Sequence, residues 1–156
     1  MAGTTLVRDV MSTDVATLRP DQTVAEAADE LAARRFGAMP VVDERGRLVG
    51  ILRDEDLIVS EARVHVPTFL SFFGATIPLP GEMKHVEEDL HKVAGATVAD
   101  VMHREPVTVG PDATLEDVAT AMHDAEASHV PVVDDDGRVV GIVARGDIVR
   151  FIARTT

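Results

Sequence analysis

The groups that could do chemistry in this chain are few, and their spacing favours binding over bond making. Six histidines are present and no cysteine. Glu87 and His91, four residues apart on a stretch with helical periodicity, offer two metal ligands on one face and no more. His65, His85, His103, His123 and His129 are scattered, as solvated surface histidines would be. Without cysteine there is no disulfide, no thiolate nucleophile and no Cys-based zinc site. No Ser, His and acid combination accompanies a nucleophile turn, and neither GxxxxGK[ST] nor GxGxxG occurs. The glycines of GRLVG (46–50) and GRVVG (137–141) read as hairpin turns, not phosphate loops. Two carboxylates remain, Asp56 and Asp147, each six residues beyond the last glycine of one of those segments. Each stands near the start of a helix, whose positive end favours an acidic side chain.

The two aspartates occupy equivalent places because the chain repeats itself. RDVMSTDVATLRPDQTV at Arg8–Val24 returns as ADVMHREPVTVGPDATL at Ala99–Leu115, and MPVVDERGRLVGI at Met39–Ile51 returns as VPVVDDDGRVVGI at Val130–Ile142. Val7–Ile58 slides onto Val98–Val149 without a gap, with about 19 identities over roughly 52 positions. In the first copy Val15–Leu18 reads as a short strand and Arg19, Pro20 and Asp21 as a turn. Thr23 and Glu26 form a capping box for a helix burying Val24, Ala27, Ala28 and Leu31, and Gly37 ends it. Met39–Asp43 and Leu48–Leu52 make a hairpin, and Arg53, Asp54, Glu55 and Asp56 open a second helix through Leu57, Ile58 and Val59. In the second copy Val107–Val109 is the strand, and Thr114 with Asp117 is the weaker cap. Leu115, Val118, Ala119 and Met122 form the buried face, Val130–Asp134 and Val139–Val143 the hairpin, and Asp147–Ile152 lies in the closing helix. The expected fold is α/β (α+β): two βαββα repeats related by a pseudo-two-fold axis, since one unit of this size is marginal alone. Repeat 1 is placed at 7–60, an insertion at 61–96, and repeat 2 at 97–153.

The hPVVDxxGRhhGhh signature, with an Asp six residues past the last glycine and two gapless copies, resembles the CBS domain, the cystathionine β-synthase repeat. Two such repeats make a CBS pair, or Bateman module. The resemblance implies an adenine nucleoside derivative held at the seam between repeats. The family's GhhTxxD element uses its Asp on the ribose hydroxyls, and a carboxylate can accept from both. Asp56 and Asp147 match that position, while a purely structural role at helix starts is the alternative. The family's Thr, placed near phosphate, is replaced by Arg53 and Ala144, and Arg53 and Arg145 offer charge-assisted contacts in its stead. Each site is built across the pair. The Asp147 pocket is expected to borrow Thr13, Val15, Ala16, Ala38, Met39 and Pro40. The Asp56 pocket is expected to borrow Arg104, Pro106, Val107, His129, Val130 and Pro131. The first has smaller, less charged walls and suits a nucleoside with few charges, and the second gathers Arg53, Arg104 and His129 around a more phosphorylated ligand.

Between the repeats, VPTFLSFFGATIPLPGE precedes an amphipathic stretch with Met83, Val86, Leu90 and Val93 on one face. Phe69, Phe72 and Phe73 need burial, either against this monomer or in a homodimer, the habit of the family. A formal charge of −12 disfavours nucleic acid, which needs clustered cations, and the acidic insertion disfavours membrane contact. No apolar run has the length of a membrane span, and Arg8, Asp9 and Asp14 interrupt any leader-like stretch, so a cytoplasmic location is expected. Two readings follow. The first is a non-catalytic regulatory module sensing AMP, ADP, ATP or a relative such as S-adenosylmethionine or NAD, acting on a protein effector or through its own dimer. The second is a structural or adaptor dimer whose clefts hold no nucleotide. An enzyme is a distant third.

Overall fold

The computed structural model describes residues 5–58 and 96–156. The insertion, with its Phe69, Phe72 and Phe73 cluster, its amphipathic face and His65, His85 and His91, lies outside the described residues. The architecture is mixed helix and strand with two small antiparallel sheets. After a single helical turn at Val7–Asp9 come α1 (Val24–Arg34), β1 (Ala38–Val42), β2 (Leu48–Arg53) and α2 (54–58). Then come α3 (Val98–Val101), α4 (Leu115–Asp124), β3 (His129–Val133), β4 (Val139–Ala144) and α5 (Arg145–Thr155).

The helix starts follow the capping residues, with the order of strength reversed. Thr23 Oγ1 accepts from Glu26 N at 3.1 Å, whereas Thr114 and Asp117 bond reciprocally, at 3.1 and 3.0 Å. The shorter Asp carboxylate reaches back to the cap amide, so the box expected to be weaker is the complete one. On α1 the buried side chains are Val24, Ala27 and Leu31. On α4 they are Leu115, Val118 and Met122, while Ala119 is exposed. Each hairpin turn is tied by an aspartate: Asp43 Oδ1 accepts from Arg45 N and Arg47 N, and Asp134 Oδ1 from Asp136 N and Arg138 N. Gly46 and Gly137 close these turns with φ of 79° and 81°, a region costly for a residue bearing Cβ.

The leading strand of each repeat is shorter than expected. It contracts to one parallel rung, Leu18 with Val41 and Val109 with Val132. Leu18 N donates to Pro40 O and Leu18 O accepts from Val42 N, both at 2.9 Å. The next rung upstream would need Pro40 to donate to the Ala16 carbonyl, and proline has no N–H. Pro131 stops the ladder at Val107 in the same way.

The repeats interlock by exchanging their lead-in segments. Val7 is fully buried among Leu115, Val118, Met122, Val130, Val132 and Val143 of repeat 2. Val98 and Met102 complete the other core, with Leu18, Ala27, Leu31, Met39, Val41 and Leu52 of repeat 1. Backbone bonds hold each exchanged segment: Val7 N to Ala113 O at 2.8 Å, Val98 N to Gln22 O at 2.9 Å, and paired bonds between Ser12 and Ile142 and between His103 and Ile51. The two hairpin tips also join, Leu48 N donating to Gly137 O and Val139 N to Gly46 O. Burying a Val or Met from the other repeat is worth about 1.5–3 kcal/mol each, so neither core is complete without its neighbour.

Candidate functional site

The truncated leading strands leave two related openings along the seam. The larger has a volume of about 430 Å³ and draws walls from both repeats. Asp14, Val15 and Ala16 come from the leading segment, Arg35, Phe36, Gly37, Ala38 and Pro40 from the α1–β1 link and β1, and His129, Ile142, Ala144, Asp147 and Arg150 from repeat 2. Its pseudo-symmetric counterpart is only about 50 Å³, bounded by residues including Ile51, Arg53, His103, Pro106, Val107, Ala127, Ser128 and His129. The first volume falls within the roughly 300–1,000 Å³ typical of small-molecule clefts, while the second has room for a few waters.

Two substitutions between the repeats account for the inequality. Arg53 stands where the large cleft has Ala144, and His129 stands where it has Ala38. Both larger side chains fill the small opening. Arg53 is held there by its own helix: its Nε and Nη2 contact Asp56 Oδ2 and Oδ1 at 3.1 and 2.8 Å, and its Nη1 lies 3.0 Å from Glu55 Oε1. Asp56 Oδ2 also accepts from Arg53 N at 3.0 Å. Asp56 is thereby engaged on both oxygens and does not line the opening.

Asp147 differs. Its Oδ2 accepts from Ala144 N at 2.8 Å, capping α5, and its Oδ1 pairs with Arg150, one turn along the same helix. The side chain of Asp147 is 13% exposed and that of Arg150 65%, so the carboxylate is anchored at the wall while its partner stands in solvent. The guanidinium folds back over Gly146, where an added Cβ would meet Arg150 Nη1 at 3.4 Å.

His129 faces both openings. Its Nδ1 is 2.9 Å from Ser128 Oγ, and its ring lies against Gly37, where an added Cβ would meet Cε1 at 3.2 Å. Burial pushes its pKa below the ordinary histidine value; nearby Asp54 and Asp147 oppose that shift and Arg145 adds to it.

Of the residues expected around Asp147, the structure brings Val15, Ala16, Ala38, Pro40 and Ala144 to the large cleft. It does not bring Thr13, which is exposed, or Met39, which is 1% exposed in the core. Around the other opening it places Arg53, Pro106, Val107 and His129. Val130 and Pro131 are buried in the sheet, and Arg104 turns away to donate to Ala99 O at 3.0 Å. Arg145 is exposed and its backbone bonds Ser128 O, so its charge is felt at His129 without lining either opening. Nor are the walls of the Asp147 cleft poor in charge: Asp14, Arg35 and Arg150 line it, and so do Phe36 and Gly37. The sequence carries a signal for three of these five. Arg150 lies three residues after Asp147, a spacing that places side chains together on a helix. Phe36 and Gly37 are the repeat partners of Ala127 and Ser128, next to the named His129. Among the described residues no cluster of His, Asp or Glu is arranged for a metal ion, and no helix is long and apolar enough to cross a membrane.

Comparison with known proteins adds independent findings. A family model described as the CBS domain matches residues 7–62 and 98–154. The chain is 34% identical over 138 residues to the chloroplastic CBS domain-containing protein CBSX1 of Arabidopsis thaliana, covering 88% of this chain and 58% of that protein. It thus spans little more than half the length of that relative. Its fold superposes on CBSX2 of Arabidopsis thaliana in complex with AMP at a TM-score of 0.75 and 25% identity, covering 97% of this chain and 98% of the other. The CBS domain pair of protein MJ0100, in complex with 5′-methylthioadenosine and S-adenosyl-L-methionine, gives 0.74 and 30%, with the same coverage.

Proposed function

Since the chain belongs to the CBS-domain family and carries the domain as a tandem pair, we propose that it is a regulatory module binding one adenosine-containing ligand in the cleft bounded by Asp147. The observation that carries this reading is the cleft of about 430 Å³ to which both repeats contribute walls and in which Asp147 is the anchored acceptor. A carboxylate can accept from two vicinal ribose hydroxyls. Val15, Ala16, Phe36, Ala38 and Ile142 offer apolar walls for a base, and the Ala16 carbonyl, outside the strand ladder because of Pro40, can read its edge. Similarity to proteins seen with AMP, 5′-methylthioadenosine and S-adenosyl-L-methionine supports the ligand class.

A ligand there touches both repeats, so binding tightens their docking, and that change is the signal passed to a partner. Arg35 and Arg150 line the cleft beside Asp14 and Asp147, so it offers two cations to an anionic group on the ligand as well as a carboxylate to its ribose. In the Asp56 half the structural reading is the stronger one, because Asp56 does not line the small opening and Arg53, which does, is held to it at two points. Pairing of two chains is part of the proposal: Ile58, Val149 and Ile152 are 66, 64 and 51% exposed, and Ile58 and Val149 are repeat equivalents.

Calorimetric titration with AMP, ADP, ATP, 5′-methylthioadenosine and S-adenosylmethionine, together with heat unfolding, tests the reading. One ligand per chain and a raised Tm are expected, because a ligand bound only by the folded state stabilises it. No binding by any of the five would leave the structural, adaptor reading.

A further inference from the structure

Arg150 and Asp147 both line the cleft, and they are paired with each other. A ribose diol seeking Asp147 must therefore compete with a guanidinium for Oδ1, while Oδ2 stays bonded to Ala144 N. Arg150 is mostly exposed and reaches Asp147 by folding back over Gly146, which adds no side chain in its way. It can leave without disturbing the helix, because the capping bond uses the other oxygen. The arrangement belongs to this cleft alone: the residue equivalent to Arg150 in repeat 1 is Val59, and Arg53 takes the corresponding carboxylate from a different direction.

Given an adenosine-type occupant, we infer that Arg150 is a specificity-determining residue passed from Asp147 to the ligand's own anionic group when the ribose takes its place. A neutral nucleoside displaces the arginine and leaves it without a counter-charge. A nucleoside monophosphate displaces it and supplies one. The cleft therefore selects ligands that combine a vicinal diol with an anionic group, and Arg150 acts in opposite directions on the two ligand types. It competes against neutral nucleosides and assists charged ones. Hydrogen bonds between ionised partners are the stronger class, which sets the size of the effect.

Calorimetry with AMP and adenosine on the full chain, comparing wild type, Arg150→Ala and Arg154→Ala, reads both directions at once. Arg154 carries the same charge on the same helix but does not line the cleft. Wild type is expected to bind AMP about tenfold or more tightly than adenosine. Arg150→Ala is expected to weaken AMP by about tenfold and to tighten adenosine, with Arg154→Ala changing neither. Equal weakening of both ligands by Arg150→Ala would show a merely structural side chain and overturn the inference. So would no change in either, or the same change from Arg154→Ala. If wild type binds neither ligand, the adenosine reading itself fails and takes this inference with it; if adenosine binds but charge has no effect, only the inference fails.

Discussion

Met102 of the second lead-in segment lies against Gly50 of the first repeat so closely that a methyl group on that glycine would stand 2.6 Å from the sulfur and 2.9 Å from the His103 carbonyl. Met11 meets Gly141 in the same manner across the pseudo-two-fold axis. The last glycine of each GRhhG segment therefore serves the joint between repeats, not a turn. The turn is made by the first glycine alone.

From this contact, Gly50→Ala and Gly141→Ala should each destabilise the protein by about 1–3 kcal/mol through overpacking. Combining Gly50→Ala with Met102→Ala should cost less than the sum of the two, because the shortened partner makes room. Gly46→Ala, with nothing within 4 Å of its added Cβ but a φ of 79°, should lose about 1–2 kcal/mol from strain alone, with no relief from Met102→Ala. Urea unfolding of Gly50→Ala, Gly141→Ala, Gly46→Ala, Met102→Ala and the two double variants checks the pattern, and full additivity at Gly50 and Met102 would contradict it.

Asp147→Ala should weaken an adenosine ligand by about ten- to a hundredfold, the cost of losing hydrogen bonds to a charged acceptor. Asp56→Ala should leave binding near the wild-type value and lower stability instead, since it strips Arg53 of its two-point partner. Titration and unfolding of both variants separate these effects. Equal losses of affinity would mean that the small opening is a working site.

The difference between the two openings should be transferable. Ala144→Arg places in repeat 2 the residue that fills the small opening in repeat 1, where it can take the place of the exposed Arg150 on Asp147. Binding should fall by at least about tenfold while unfolding shifts little, an exposed or half-buried ion pair being worth about 0–1 kcal/mol. Unchanged affinity would show that the ligand does not approach Ala144.

His129 should make stability depend on pH. Burial lowers its folded-state pKa below the ordinary value near 6.5, so the unfolded chain binds the proton more readily. The stabilising contribution is complete above about pH 6.5 and is lost as pH falls through that value toward the depressed one. In His129→Gln this part of the acid dependence should disappear, which denaturant midpoints across that window would register. An identical pH profile in the variant would assign the effect to other groups.

Replacing Ile58, Val149 and Ile152 together by Ser should turn a dimer into a monomer in sedimentation at micromolar concentration, with ligand binding retained. A wild-type chain that is already monomeric under those conditions would dispose of the paired assembly.

Much of the fold is legible in the residues alone. The exact return of the PVVD and GRhhG segments establishes two equivalent units. Unbroken apolar runs around Asp43–Gly46 and Asp134–Gly137 locate both hairpins to within a residue or two, because a tight turn depends on groups only a few positions apart. Thr23 and Thr114 mark helix starts for the same local reason. That Val98 and Met102 are apolar is plain from the sequence, but not which core takes them, because an apolar side chain does not name the surface that covers it. The exchange of lead-in segments is thus a tertiary fact. So is the inequality of the clefts: the replacement of Ala144 by Arg53 is visible in the alignment of the repeats, yet whether that arginine reaches a ligand or folds onto Asp56 depends on where the helix start carries its side chain. Arg150, absent from any motif, enters the site only because α5 turns it back across Gly146 to Asp147. Local chemistry determines the elements and the equivalence of the two aspartates; the volume and charge of the space between repeats depend on side chains brought together from distant positions, which only the packed structure decides.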